Sequence, residues 1–438
     1  MGQRPRKDGE TFVIPSLRWW ICGLLFASTA INYIYRQTFI VLGPYLRIEF
    51  HWSNSDFALI LISFRIAYAL GQAASGKFLD RLGTRLGLLI SFAFFSIMSM
   101  LTGFAVGLRS FVVLRFLVGA GESANWPGAT KTVSEWFPKS ERGWAVAIFD
   151  SGSAVGGAIV PVMVLWLYRE FGAWRPVFFT TAFLGFLWVL AWYAFYHPPD
   201  VHAHLGAAER EMLRKAKEQE AASEVRAVFE NPRDETNSWK ALLSLPQTWG
   251  IILSRAVTDP LWFFIMEWFA IYLVSKGFRL ERALPGFLGP YVAGGLGSFF
   301  GGGFSSELIR RGWPVLRARK FVIVLGATGM LLLIPAIYTS SLTSIVVFFS
   351  LASFSYGCWA TMLLTLPADL YPSNSVASVS GMSLTGGGVG AVLSTILIGR
   401  TLDHHSFKPV IIAAGFAPMI GMALILILVR NTRVSLKT

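Results

Sequence analysis

The sequence is short of charge, cysteine and histidine. Only 14% of its 438 residues are Asp, Glu, Lys or Arg, whereas a soluble domain carries about 25%. Two cysteines, Cys22 and Cys358, both in apolar runs, exclude a disulfide framework and a cysteine metal site. The six histidines form no ligand cluster, and the adjacent pair His404 and His405 suits a loop. No metal and no cofactor is therefore expected. No Ser/His/Asp set converges and no Walker loop is present, which argues against a membrane enzyme. Arg4, Arg6 and Lys7 precede the first apolar run, but no small-residue cleavage site follows it. That run is read as a retained helix and not as a signal peptide.

What is abundant is apolar sequence. Hydrophobic residues make up 54% of the chain, in blocks of about 20 residues, the length that crosses a bilayer as a helix. The spans are placed at 17–41, 56–79, 86–108, 111–131, 143–168, 174–196, 247–274, 283–308, 319–339, 342–366, 376–400 and 407–430. Their uninterrupted character points to helices and not to a β-barrel. The net charge of +13 would suggest nucleic acid in a soluble protein; here it reports topology, and no nucleic acid partner is expected. With the N-terminus inside, and Lys/Arg at span ends counted with the adjoining segment, 25 fall on the inside, 9 on the outside and four deep within spans. This bias puts both termini in the cytoplasm of a multi-pass plasma (inner) membrane protein, taken as a monomer in the bilayer.

The expected organisation is a tail (1–16), a six-helix half (17–196), a cytoplasmic linker (197–246), a second six-helix half (247–430) and a tail (431–438). The linker stretch Ala207–Ala222 holds strong helix formers and close opposite charges, and reads as a solvated amphipathic helix. The halves repeat each other. Glu135-Trp136-Phe137-Pro138 recurs 234 residues later as Asp369-Leu370-Tyr371-Pro372, and Gly152 and Gly156 match Gly386 and Gly390 at that offset. Parallel repeats of this kind suit halves that rock around a site at mid-membrane.

Between spans 2 and 3 the chain reads Gly76-x-x-x-Asp80-Arg81-x-Gly83-x-Arg85. Gly76 permits close helix approach, Gly83 a tight turn, and Asp80 can pair with basic groups. The loop resembles the signature of the major facilitator superfamily, where it latches the outward-open state; a worn copy runs from Gly303 through Glu307 to Arg310 and Arg311. The resemblance implies an all-α fold of twelve helices in two pseudo-symmetric bundles.

Arg36, Arg65, Arg115 and Arg255 lie within spans. Each costs roughly 2.5–3.5 kcal/mol at a helix centre, so each needs a partner or a task. Arg115 and Glu122, seven apart, share a helix face. Several guanidiniums in one cavity suit an anionic substrate, since their forks bind carboxylates with two hydrogen bonds. A Glu beside Arg can couple proton binding to substrate binding. Arg255 and Asp259 are four apart and can pair, and Pro260 is expected to loosen its helix.

Asn32-Tyr33-Ile34-Tyr35-Arg36, Tyr68-x-x-x-Gln72, Arg115 with Glu122-x-x-x-x-Pro127, and Glu135-Trp136-Phe137-Pro138-x-x-x-Arg142 resemble the anion:cation symporter family within that superfamily. The resemblance puts Tyr33, Arg36, Tyr68, Arg115 and Ser153 at the substrate site, Glu122 at proton coupling, and Arg142 with the gating loop. Gly121 to Lys131, Arg255-x-x-x-Asp259-Pro260-x-Trp262 and His197-Pro198-Pro199 look most like hexuronate transporters. Arg255, Trp262 and Trp359 are accordingly added to the substrate residues and Asp259 to proton coupling; Trp126 and Trp262 could pack on a sugar ring. Tyr35 stands where many relatives carry an Asp, which leaves Glu122 as main proton carrier, helped by Asp150, Asp259 or Glu267. Arg65 also departs from the pattern. The expected function is proton-coupled uptake of a sugar acid such as glucuronate or galacturonate. Another organic anion (an aldonate, aldarate or aromatic acid) and Na⁺ coupling stay open, as does a non-transporting sensor.

Overall fold

A computed structural model describes residues 13–228, 239–278, 280–404 and 406–430. The first half comprises α1 (Leu17–Glu49), α2 (Asn54–Leu82), α3 (Thr84–Thr102), α4 (Leu108–Glu122) with α5 (Asn125–Trp136), α6 (Lys139–Phe171) and α7 (Arg175–Phe195). After α8 (Ala207–Val228) and α9 (Trp239–Leu243), the second half comprises α10 (Pro246–Ser275), α11 (Leu280–Arg310), α12 (Val315–Met330), α13 (Leu342–Leu370), α14 (Ser373–His404) and α15 (Phe407–Leu428). Each of the twelve sequence-derived spans coincides with one of these rods, α4 and α5 together making the fourth. Among the described residues, eight helices are long and apolar enough by themselves to cross a membrane. Their outward positions are apolar, as at Ile62, Ile66, Leu70, Leu190 and Ile427. The helix–helix seams instead bury small and polar side chains such as Ser28, Thr29, Asn32 and Ser298, the expected inversion in lipid.

The repeated glycines perform the same task twice. A Cβ at Gly152 would meet the Phe26 carbonyl at 2.4 Å and one at Gly156 the Ala30 carbonyl at 2.3 Å, so α6 lies backbone to backbone on α1. In the second half, Gly386 lies against Ile252 and Gly390 against the Ala256 carbonyl, joining α14 to α10.

Proline positions explain where the rods depart from the expected spans. Pro127 deprives the Ser123 carbonyl of its helical donor; α4 ends, α5 begins, and the Ser75 hydroxyl of α2 donates to that carbonyl at 3.2 Å, the repair expected in lipid. The ninth span tightens into a 3₁₀ turn over Leu331–Ile337, around Pro335. Pro260, expected to loosen its helix, does not interrupt α10. The carbonyl it leaves without a donor is that of Ala256, the one on which Gly390 packs, so the weakened turn is braced by a neighbouring helix.

The first part of the linker is docked and not freely solvated as expected. Leu205 and Leu213 are buried with Leu17 of α1. Glu209 accepts from the backbone N–H groups of Leu17 (3.0 Å) and Arg18 (3.2 Å), satisfying orphan donors at the start of α1. Arg18 bridges Glu209 and Glu141. Beyond Val228, residues 229–238 lie outside the described set, as do both terminal tails (1–12 and 431–438). Ile14 donates to the His204 carbonyl of the linker, and Leu428 and Val429 lie against Gly250 in the first turns of α10, just after the linker, so both described ends of the chain lie at one face of the bundle, the linker face.

Candidate substrate site and its closure

Two polar clusters lie near the middle of the bundle, one per half. In the first, Arg36 of α1 donates through Nη2 to Glu122 Oε2 at 3.2 Å. Its guanidinium lies 5.0 Å from the Tyr33 ring centroid, 5.2 Å from Phe64 and 4.4 Å from Tyr68. Phe64 and Tyr68 stack, one turn apart on α2. Arg115 of α4 sits against Phe64 at 4.6 Å and Phe39 at 4.8 Å. The two guanidiniums thus converge on one ring, and such cation–π contacts contribute about 0.5–2 kcal/mol each. Glu122 is fully buried and Arg115 is 3% exposed. Glu122 bonds to Arg36 on another helix and not to Arg115, its expected partner on its own. Among the described residues, Arg115 Nε, Arg36 Nε and Glu122 Oε1 have no hydrogen-bond partner. These unspent groups are what a bound anion would use.

In the second cluster, Arg255 Nη1 lies 3.5 Å from Asp259 Oδ2 and the Tyr356 hydroxyl donates to Asp259 Oδ1 at 3.1 Å. Trp262 stacks on Tyr356 with centroids 5.2 Å apart. Gly387 of α14 lies so close that a Cβ there would meet Asp259 Oδ2 at 2.3 Å. Among the described residues, Arg255 Nε also lacks a hydrogen-bond partner.

The other candidates scatter. The Ser153 hydroxyl donates to the Asp150 carbonyl of its own helix. Trp359 is in the core of the second half, against Gly326 of α12 and Gly421 of α15, apart from both clusters. Trp126 packs edge-on against Phe149. Tyr35 turns toward α3 and α7, with its hydroxyl on the Ala182 carbonyl and its ring on Phe95. Arg65 is exposed on α2, and the Glu267 side chain lies outside the described residues.

The halves are joined from the linker face to the middle of the bundle. Asp80 accepts from Lys131 Nζ at 2.9 Å and, across the seam, from the backbone N–H groups of Ser378 (2.8 Å) and Ala377 (3.4 Å) near the start of α14. Gly76 makes this possible, since a Cβ there would meet the Ala377 carbonyl. Gly83, at φ +80°, turns the chain into α3. Arg81 is exposed, and Arg85 donates to the Tyr193 carbonyl. A second tie, missed in the sequence, centres on Asp369. It pairs with Arg142 of the first half at 3.3 Å and Arg319 of the second at 2.8 Å. Arg142 also holds the Ala368 carbonyl, and Arg319 crosses back to the Lys139 carbonyl. The signal was present, because Asp369 is the repeat counterpart of Glu135 and Arg142 follows the same motif. The worn loop copy makes no such tie; Glu307 is spent on Arg310 and Arg311.

Residues 25–395 match the Major Facilitator Superfamily. The chain belongs to that superfamily. It is 28% identical over 424 residues to the hexuronate transporter of Escherichia coli (strain K12), covering 95% of each chain. It is 30% identical over 328 residues to the galacturonate transporter of Dickeya chrysanthemi, covering 73% of this chain and 91% of that one. Among solved structures, the proton:xylose symporter XylE bound to 6-bromo-6-deoxy-D-glucose superposes with a TM-score of 0.76 at 14% identity, over 95% of this chain and 96% of that one. The chain is therefore a multi-pass plasma membrane transporter related to carriers of sugar acids.

Proposed function

We propose that this transporter carries a hexuronate such as glucuronate or galacturonate into the cell together with protons. The observation that supports this reading best is the convergence of Arg36 and Arg115 on Phe64, with one guanidinium already holding Glu122. Glu122 and the substrate carboxylate would compete for Arg36. A proton taken up by Glu122 from the far face frees the Arg36 fork, which then binds the substrate with two charge-assisted hydrogen bonds. Arg115 supplies the second cation. Tyr33 and Tyr68 border Arg36 and offer hydroxyls to the sugar, and Trp262 and Tyr356 offer a stacked apolar wall from the other half. Loss of the Glu122–Arg36 pair removes a tie between α1 and α4, which lets the bundle rearrange. The linker face then opens, the substrate leaves and Glu122 releases its proton. The Lys/Arg bias supports assigning the linker face to the cytoplasm.

Counterflow of labelled glucuronate in proteoliposomes tests the substrate. Uptake competed by unlabelled hexuronates is expected. No uptake of any hexuronate, alongside robust uptake of an aldonate, aldarate or aromatic acid, would overturn the assignment. For coupling, Glu122→Gln should abolish accumulation driven by a pH gradient yet keep measurable exchange. Intact accumulation would exclude Glu122 as carrier, and accumulation driven by Na⁺ alone would exclude protons.

A further inference from the structure

Three acids lie in the middle of the bundle among the described residues, and two of them are ion-paired: Glu122 with Arg36 and Asp259 with Arg255. The third, Asp150 of α6, has no ion-pair partner. Its Oδ2 accepts one hydrogen bond, 3.0 Å long, from the hydroxyl of Ser298 on α11, in the opposite half. Ser298 is itself buried. An ionised carboxylate inside a bilayer needs a cation or several donors, and one hydroxyl is little for that task.

The location matters as much as the partner. Asp150 and Ser298 lie on the α6–α11 seam, farther from the linker face than its glycine contacts. Below them along the seam, Gly143 and Gly302 touch backbone to backbone and Ala147 packs on Gly302. Ser298 and Asp150 belong to different halves, so a parting of the halves that extends along this seam would separate them. Tyr33 of α1, Arg255 of α10 and Tyr356 of α13 are the other titratable or charged groups within electrostatic reach of Asp150. Asp150 therefore lies within electrostatic reach of both polar clusters.

We propose that Asp150 is a second proton-binding carboxylate of the transport cycle, held by Ser298 while the linker face is closed and exposed to water when that face opens. The inference rests on the proton-coupled reading above. The Ser298 hydroxyl carries one proton and has two acceptors, Asp150 at 3.0 Å and the Gly357 carbonyl at 3.5 Å. When Asp150 is ionised, it accepts the hydrogen bond from that hydroxyl, and the proton stays on Ser298. When Asp150 is neutral, its own O–H donates to Ser298 Oγ, and the hydroxyl turns to Gly357. A proton thus enters from the far face with the linker face closed. It leaves to water when the halves part and the Ser298 contact is gone.

The test compares wild type, Asp150→Asn, Asp150→Glu and Ser298→Ala in proteoliposomes. The pH gradient that just balances a fixed glucuronate gradient gives protons per substrate. Asp150→Asn should move one proton fewer than wild type and Asp150→Glu the wild-type number, whereas Ser298→Ala should keep the number and shift the pH of half-maximal counterflow. An unchanged ratio in Asp150→Asn would overturn the proposal, and an unshifted Ser298→Ala profile would overturn the role given to Ser298. If wild type does not carry glucuronate at all, the substrate reading fails first. Infrared difference spectra of the purified protein in nanodiscs, taken between acid and alkaline pH without substrate, then decide separately. Loss of a protonated-carboxyl band in Asp150→Asn supports the site, and an unchanged spectrum sinks it.

Discussion

Arg36 and Arg115 are both guanidiniums in the bilayer interior, but they are satisfied differently. Arg36 has a carboxylate and three aromatic rings; Arg115 has two rings and an unspent Nε. Under the proposed function, the residue that depends most on an incoming anion is Arg115. Replacing it with Lys keeps the charge but removes the planar fork and the broad face that rests on Phe64. Arg115→Lys should lower glucuronate counterflow at sub-saturating concentration by at least about tenfold, equivalent to about 1.4 kcal/mol. Equal effects of Arg115→Lys and of a lysine at an exposed arginine such as Arg81 would remove Arg115 from the site. That Arg115 and Glu122 share a face was legible from their spacing. That Glu122 bonds to Arg36 was not, because helical spacing constrains one helix and says nothing about what a neighbouring helix brings to it.

At the level of helices, glycine and proline set the geometry. Gly390 lies on the Ala256 carbonyl, which Pro260 has left without a donor, and a Cβ there would come within 1.9 Å of it. Gly390→Val should push α14 off α10 and cost several kcal/mol, as overpacking against backbone does. A markedly lower melting temperature in detergent is expected, whereas Gly399→Ala, where nothing lies within 4 Å, should melt like wild type. The docked linker offers a pH-dependent counterpart outside the membrane. Burial holds the His202 imidazole below its ordinary value, against the opposing pull of the Phe195 carbonyl that it contacts at 2.9 Å. Its ring packs edge-on against Trp136. A depressed histidine is neutral when docked and binds its proton more readily once released. Docking is therefore fully present above the ordinary histidine value of about 6.5 and weakens as pH falls through it. Tryptic cleavage at Arg210 and Arg214 should accelerate between about pH 7.5 and pH 5.5, and His202→Gln should flatten that dependence. Equal acceleration in both proteins would assign the effect elsewhere.

For the whole molecule, the linker face is closed by two ties of different construction. Asp80 caps α14 from the signature loop, while Asp369 joins Arg142 and Arg319 from opposite halves. Both are buried, so removing one partner strands charge as well as losing hydrogen bonds. Asp369→Asn should shift the population toward an open linker face. A cysteine placed at Ser306, buried in the seam beside Gly143, should then react with a water-soluble thiol reagent roughly tenfold faster, the change expected for a loss of about 1.4 kcal/mol. If reactivity is unchanged, the Asp369 tie does not set the closed state.

The sequence by itself determined the membrane class, the twelve spans, the two repeated halves and the family, since each rests on local quantities: run length, charge bias, short motifs and an internal offset. It also singled out the charged residues that gather in the two polar clusters, because an arginine inside an apolar run is conspicuous wherever it lies. The tertiary structure alone decided the partners. Glu122 with Arg36, Asp369 with Arg142 and Arg319, Asp150 with Ser298 and Glu209 with the start of α1 each join residues 50 to 227 positions apart. It also separated Trp359, a core residue, from Trp262, which stacks beside Asp259. Apolar periodicity places a side chain on a helix face, but which helix meets that face is settled only by the packing of all twelve.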